Sequence, residues 1–214
     1  PAFPEHLSVA AKRSLEKLGV QVKVNSRVTK CEAGSVTIGD RRVPAETVIW
    51  AAGVKASPAA AWLGAEADRA GRVKVEPDYS VPGHGNVFVI GDTASLVDAD
   101  ERLVPGVAPA AKQAGRYVGG VIRAALAGSP KPAPFRYRDP GNMATIGRHA
   151  GVADFGWVSL RGRVAWWLWG IVHIYFLIDF RSRLTVSINW LWSFLTFKRG
   201  ARLITSEQQS ATRP

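Results

Sequence analysis

The sequence has almost no cysteine. Cys31 stands alone, which excludes an internal disulfide, a Cys-x-x-Cys redox pair and a cysteine-based zinc site. Met143 is the only methionine and residue 1 is Pro, so the chain reads as a piece whose start lies upstream. The N-terminus carries no signal-peptide pattern. No Gly-x-Gly-x-x-Gly follows an expected strand, and Gly83-His84-Gly85 is a turn of the wrong spacing. Residues 164–178 are uncharged, but 15 residues fall short of the about 20 that span a bilayer. Histidines and carboxylates do not cluster at ligand spacing, so no metal is expected; His6, His84 and His149 are scattered. His173, alone in an apolar run, reads as a satisfied interior residue. Acid is scarce near the end: between residues 155 and 206 Asp179 is the only one.

What is present is a globular composition, 47% hydrophobic and 21% charged, which excludes a disordered chain. Lys and Arg number 28 against 17 Asp and Glu, a formal charge of +11. Six of the eight tryptophans follow residue 156, among Arg161, Arg163, Arg181, Arg183, Lys198, Arg199 and Arg202. Basic and aromatic residues without acids point to an anionic membrane surface or to nucleic acid. The basic residues sit among Trp and aliphatics rather than on a polar phosphate-facing surface. That favours membrane, with no nucleic acid.

Helical spacing of Leu7, Ala10, Ala11, Leu15 and Leu18 predicts a helix over 5–18, stopped at Gly19. A second helix is expected over 108–127, with Pro109 in its first turn and Gly128 at its end. Strands are expected at 20–24, 28–32, 35–38 and 41–43, with Gly39-Asp40 as a type I′ hairpin turn. Residues 47–51 and 86–90 are continuous apolar runs and read as buried strands. Cys31 reads as a buried thiol. A short helical turn at 59–63, strands at 73–75, 143–146 and 152–157, and a Pro-rich linker from Pro130 complete the pass.

Two strand ends carry chemistry. Residues 86–92 end in Gly91-Asp92, and ligands of open α/β sheets sit beyond the carboxyl ends of strands. Gly91 admits a close backbone approach, and Asp92 can accept hydrogen bonds from sugar or ribityl hydroxyls. Residues 47–53 end in small residues at Gly53.

With the stretches 104–113 and 141–148 and the tail 166–204, these two motifs resemble the C-terminal half of type II, single-subunit, non-proton-pumping NADH:quinone oxidoreductases. These are two-dinucleotide-binding-domain flavoproteins. The resemblance implies an α/β, Rossmann-like fold followed by amphipathic membrane-anchoring helices. It implies four parts: residues 1–50 ending the NADH-binding domain, 51–135 the second half of the FAD-binding domain, 136–161 short strands and linker, and 162–214 the anchor. The implied activity passes electrons from NADH through FAD to a membrane quinone. Gly53, Gly91 and Asp92 would face FAD, Asp92 at the ribityl chain. Ala108 and Pro109 would start the helix facing the flavin, and Lys112 and Gln113 would border the quinone pocket. The family often has Gln where this chain has Pro109, which leaves Gln113 as the quinone candidate. The implied location is peripheral, on the cytoplasmic side of a respiratory membrane, with a homodimer left open. Both glycine-rich motifs would lie upstream of residue 1, so the chain alone would be inactive.

The tail carries its own signal. Residues 184–197 place Thr185, Asn189, Ser193 and Thr196 on one stripe, with Trp and aliphatics elsewhere, as in a helix lying in a membrane surface. A short span over 164–180 is the alternative arrangement. Sulfide:quinone oxidoreductase is an alternative activity that would require redox cysteines. A basic membrane-binding module without enzymatic activity is the alternative of another class.

Overall fold

The computed structural model describes residues 2–196. Phe197, Lys198, Arg199 and Arg202 lie outside the described residues. The elements are α1 (Glu5–Lys17), β1 (Val28–Glu32), β2 (Ser35–Ile38), β3 (Arg41–Pro44), α2 (Ala59–Leu63), β4 (Val73–Lys74), β5 (Ser80–Val81), β6 (His84–Phe88), β7 (Ala94–Ser95), α3 (Ala108–Leu126), β8 (Asn142–Ile146), β9 (Ala150–Asp154), β10 (Ser159–Gly162), α4 (Arg163–Tyr175) and α5 (Phe180–Thr196). This is an α/β chain that packs as two units. One joins the N-terminal segment through Val22 to the segment from Gly141 onward; the other is Lys23–Pro140.

In the discontinuous unit, β8, β9 and β10 form an antiparallel meander. α1 lays Leu7, Ala11 and Leu15 against Ile146, Val152 and Ala144, and Leu7 is only 1% exposed. α1 ends as expected at Gly19, whose N–H reaches Glu16 O at 3.0 Å while Val20 N–H reaches Leu15 O at 3.1 Å. α4 crosses β9 at Gly151. A Cβ there would lie 3.0 Å from Trp166 N and 3.1 Å from Ala144 O, so any larger residue would crowd the main chain of α4 and β8.

In the other unit, β1, β2 and β3 form an antiparallel sheet, β4 pairs with β7 in parallel, and β5 pairs with β6 antiparallel. The core gathers Val73, Tyr79, Val81, Leu96 and Phe135 under α3, which buries Ala110, Ala114, Val118 and Val121 along one stripe. Tyr79 and Phe135 meet edge-on at 5.0 Å. Burial, then the nearby Asp98 charge, pushes the Tyr79 phenol up to about 12.

Several expectations are corrected. Residues 20–24 and 47–51 are not strands; Ile49 is 84% and Trp50 66% exposed. An apolar strand needs hydrogen-bonding neighbours, and no described strand pairs with either stretch. The strand expected at 86–90 runs instead over His84–Phe88 in an antiparallel ribbon, because β5 is its immediate chain neighbour. At the β2–β3 turn only Gly39 has positive φ, 58°, whereas type I′ requires it at both central residues. Cys31 is exposed, since β1 is an edge strand of which only Val28 is half-buried. The linker after Pro130 is a strap: Lys131 pairs with Asp78, Phe135 is buried, and Tyr137 N–H donates to Asp98 Oδ2 at 3.1 Å.

Candidate functional site

The strand-to-turn motif at Gly91-Asp92 lies at the start of the long helix. Ile90 is extended, and Gly91–Thr93 makes one tight 3-10 turn. Gly91 has φ 68°, a left-handed conformation that favours glycine, and a Cβ on it would sit 3.5 Å from Ala111 Cβ. The exposed Asp92 carboxylate lies across Gly106: Oδ1 is 3.5 Å from where a Cβ at 106 would stand. Gly106 immediately precedes Val107, the N-cap of α3. Thr93 Oγ1 and Ser57 Oγ share a hydrogen bond of 3.3 Å, bracing the turn from the other side.

Ala108 and Pro109 are the first residues of α3. Pro109 has no N–H, and the first four N–H groups of a helix lack helical partners, so it forfeits nothing there. Nineteen aligned residues give α3 a positive N-terminal end, beside which Asp92 stands. Gly91, Asp92, Ala108 and Pro109 are therefore gathered at one place, together with Gly106, which sequence reasoning missed. Its signal was available: a small residue just ahead of the expected helix start. Gly53 is exposed with φ 109° and has nothing within 4 Å of where its Cβ would be.

Lys112 is exposed on α3. Gln113 is engaged with the strap: its Nε2 donates to Arg138 O at 2.8 Å, and Arg138 N–H donates to its Oε1 at 3.1 Å. One turn on, Tyr117 Oη donates to Ala133 O at 2.8 Å. Asp98 accepts from the N–H groups of Asp100, Arg102 and Tyr137. Burial raises the Asp98 carboxyl, but these three hydrogen bonds outweigh it and hold the group below the usual carboxylate range.

In the discontinuous unit, α4 and α5 form a hairpin through Asp179. Ser182 N–H and Oγ donate to the Asp179 carboxylate at 2.6 and 3.0 Å, which caps α5. α4 buries only Ala165 and α5 buries nothing; Ile171, Ile178, Ile188, Trp192 and Leu195 are exposed. His173 is exposed rather than interior, because α4 is covered on one side only. It still has a partner, Trp169 O at 2.7 Å, and stacks on the Trp169 ring at 3.9 Å. Among the described residues no helix is long and apolar enough to cross a membrane.

Residues 1–115 match the pyridine nucleotide-disulphide oxidoreductase family profile. The chain belongs to that family. Residues 140–199 match the NDH2 C-terminal domain. Among the relatives of this pyridine nucleotide-disulphide oxidoreductase chain is the type II NADH:quinone oxidoreductase Ndh of Mycobacterium tuberculosis. It is 40% identical over 99% of this chain and 47% of its own length. The type II NADH:quinone oxidoreductase of Staphylococcus haemolyticus is 35% identical over 71% of this chain and 39% of its own. The chain spans about half the length of the curated relatives it matches first. NDH2 of Plasmodium falciparum, solved in complex with NADH, shares the fold with a TM-score of 0.76 at 18% identity, covering 90% of this chain and 55% of that one.

Proposed function

We propose that this chain is the C-terminal half of a type II NADH:quinone oxidoreductase, which takes electrons from NADH and delivers them to a membrane quinone through FAD without pumping protons. The observation that carries the reading is the Gly91-Asp92 turn at the positive end of α3, in a chain 40% identical to a relative of that name. The donor set fits a flavin nucleotide. Asp92 supplies an exposed carboxylate for ribityl hydroxyls, and Gly91 and Gly106 keep side chains out of its way. The N-terminal N–H groups of α3, from Ala108 past Pro109, supply positive potential for charge on the flavin's pyrimidine edge. Gly53 would offer backbone without a side chain to the same nucleotide. A flavin held there supplies the two-electron chemistry linking a nicotinamide donor to a quinone acceptor.

Lys112 and Gln113 would border the quinone path, Gln113 as a positioning residue that acts through Arg138. Residues 1–50 would complete an NADH-binding domain, 51–135 an FAD-binding domain, and 136–161 would lead to the anchor at 162–214. The exposed Ile49, Trp50, Val54 and Trp62 support packing against further parts of a longer protein. The α4–α5 hairpin would lie in the cytoplasmic surface of a respiratory membrane, its Trp at headgroup level.

The test is flavin occupancy. Asp92→Ala in the full-length protein removes a charged acceptor worth roughly 1.5–3 kcal/mol. Visible absorbance after purification should fall well below wild type while the fold, followed by circular dichroism, is retained. Full occupancy in the variant would remove Asp92 from the site.

A further inference from the structure

α4 and α5 meet along a seam that their own side chains do not fill. Trp169 and Trp190 stack nearly parallel, 8° between planes and 5.7 Å between centroids. Trp166, Trp167 and Phe194 form a second cluster, with Trp166 5.1 Å from Trp167 and 5.5 Å from Phe194. A cavity of about 450 Å³ remains against these rings, completed by Ile171, Ile174 and Leu191. Its size is that of a small-molecule site. Gly170 leaves the gap beside Trp190: a Cβ there would still be 3.7 Å from Trp190 Cζ3.

The lining is a poor host for water. Ser187 on the α5 wall donates its hydroxyl to Arg183 O at 2.7 Å. Water needs two to four polar partners; the aliphatics and the ring faces supply none, and of the indole N–H groups that of Trp166 already donates to Gly147 O at 3.3 Å. Polar groups gather at one end, where Thr145 and Arg148 flank the β8–β9 turn. Arg148 Nη2 donates to Ser193 O and Phe194 O, both at 3.0 Å, and its guanidinium lies 5.7 Å from the Phe194 ring centroid. A positive charge is thus fixed at one end of an apolar trough. Asp179, the one acid among described residues 155–196, lies at the opposite end of α5 from Ser193 and Phe194 and is occupied in capping that helix. Ile171, 62% exposed, and Leu191, 56% exposed, form an apolar lip through which a chain can enter.

We propose that the α4–α5 seam binds one aliphatic chain of an anionic amphiphile, the chain along the tryptophans and the head at the Arg148 end. The proposal rests on the membrane-facing reading of this hairpin but asks more of it, a saturable site rather than a wet face. A phospholipid acyl chain and a free long-chain fatty acid share this chemistry.

The test titrates the full-length protein with a brominated long-chain fatty acid kept below its micelle concentration and follows tryptophan fluorescence. Saturable quenching is expected. It should be lost in Gly170→Leu and Leu191→Phe, which fill the trough from opposite helices, and kept in Gly170→Ala, which fits. Circular dichroism checks that the variants fold. Quenching that rises without saturating, or that persists in both filling variants, overturns the proposal. Phosphatidylglycerol vesicles with brominated chains then identify the source. Stronger quenching of wild type than of the filling variants assigns the seam to phospholipid, and equal quenching assigns it to the free acid. Cosedimentation with unbrominated vesicles tests the membrane reading by itself, and its failure would leave a saturable fatty-acid titration standing.

Discussion

Gln113 and Arg138 are joined by two hydrogen bonds: side-chain amide nitrogen to main-chain carbonyl, and main-chain N–H back to amide oxygen. The pair clamps the strap onto α3 one turn after the helix begins, so the geometry of the Asp92 region and that of the strap are set by the same helix.

Gln113→Leu should release the strap. Net hydrogen-bond contributions near 1 kcal/mol each give a loss of about 2 kcal/mol. Trypsin should cut after Arg138 and Arg136 faster than in wild type, and Gln113→Glu, which keeps the acceptor, should fall between. In the full-length protein stopped-flow should show a slower quinone half-reaction and an unchanged NADH half-reaction.

The strap also sets an acid limit. Burial raises the Asp78 carboxyl, yet the Lys131 ammonium with the Ser80 hydroxyl and N–H outweighs it and holds the group below the usual carboxylate range. The hydrogen bond to Asp78 in turn raises the Lys131 ammonium. A depressed carboxyl contributes stability that is present above its unfolded value, near about 3.9, and is lost as pH falls through the folded value. A raised ammonium contributes stability present below its unfolded value, near about 10.4, and lost as pH rises through the folded one. Lys131→Met should lower the urea midpoint at neutral pH and flatten its decline below pH ~4. An unchanged acid limb would show that Ser80 alone holds Asp78.

Leu7→Ala should cost about 2–5 kcal/mol, the range for truncating a buried leucine. Urea unfolding followed by tryptophan fluorescence should shift, because Trp166 and Trp167 lie on α4 of the same unit.

Ile188→Ser, Trp192→Ser and Leu195→Ser together should release the full-length protein from vesicles without loss of flavin. The three side chains are exposed at helical spacing on α5. Each apolar side chain left in water forgoes about 1.5–3 kcal/mol of burial. Cosedimentation and the visible spectrum of the supernatant read both halves of the prediction.

The helices were legible in the sequence because their information is local. Leu7, Ala11 and Leu15 repeat at helical spacing, and Gly19 and Gly128 stop α1 and α3 where expected. The Gly91-Asp92 turn was legible for the same reason. Residues 47–51 were misread because an apolar run states a need for burial and says nothing of who provides it. The strap was misread because Pro130, Pro132 and Pro134 suggest a linker. Phe135 and Tyr137, two apart, make it a packed strap, and their partners Tyr79 and Asp98 are distant in sequence. Gln113 was singled out for its position on α3, but its bonds to Arg138 depend on where the strap returns.

The pairing of α1 with β8 and β9 carries a consequence for biosynthesis. Leu7 leaves the ribosome long before Ile146 and Val152, its partners. Until they are made, α1 lacks the partners that bury Leu7 in this chain, while Lys23–Pro140 already has all of its own residues. The inserted unit therefore completes first during synthesis, and α1 docks late. A ribosome paused when residue 140 has just cleared the exit tunnel should display α1 open to protease and chaperone, and one paused when residue 160 has cleared it should display α1 closed.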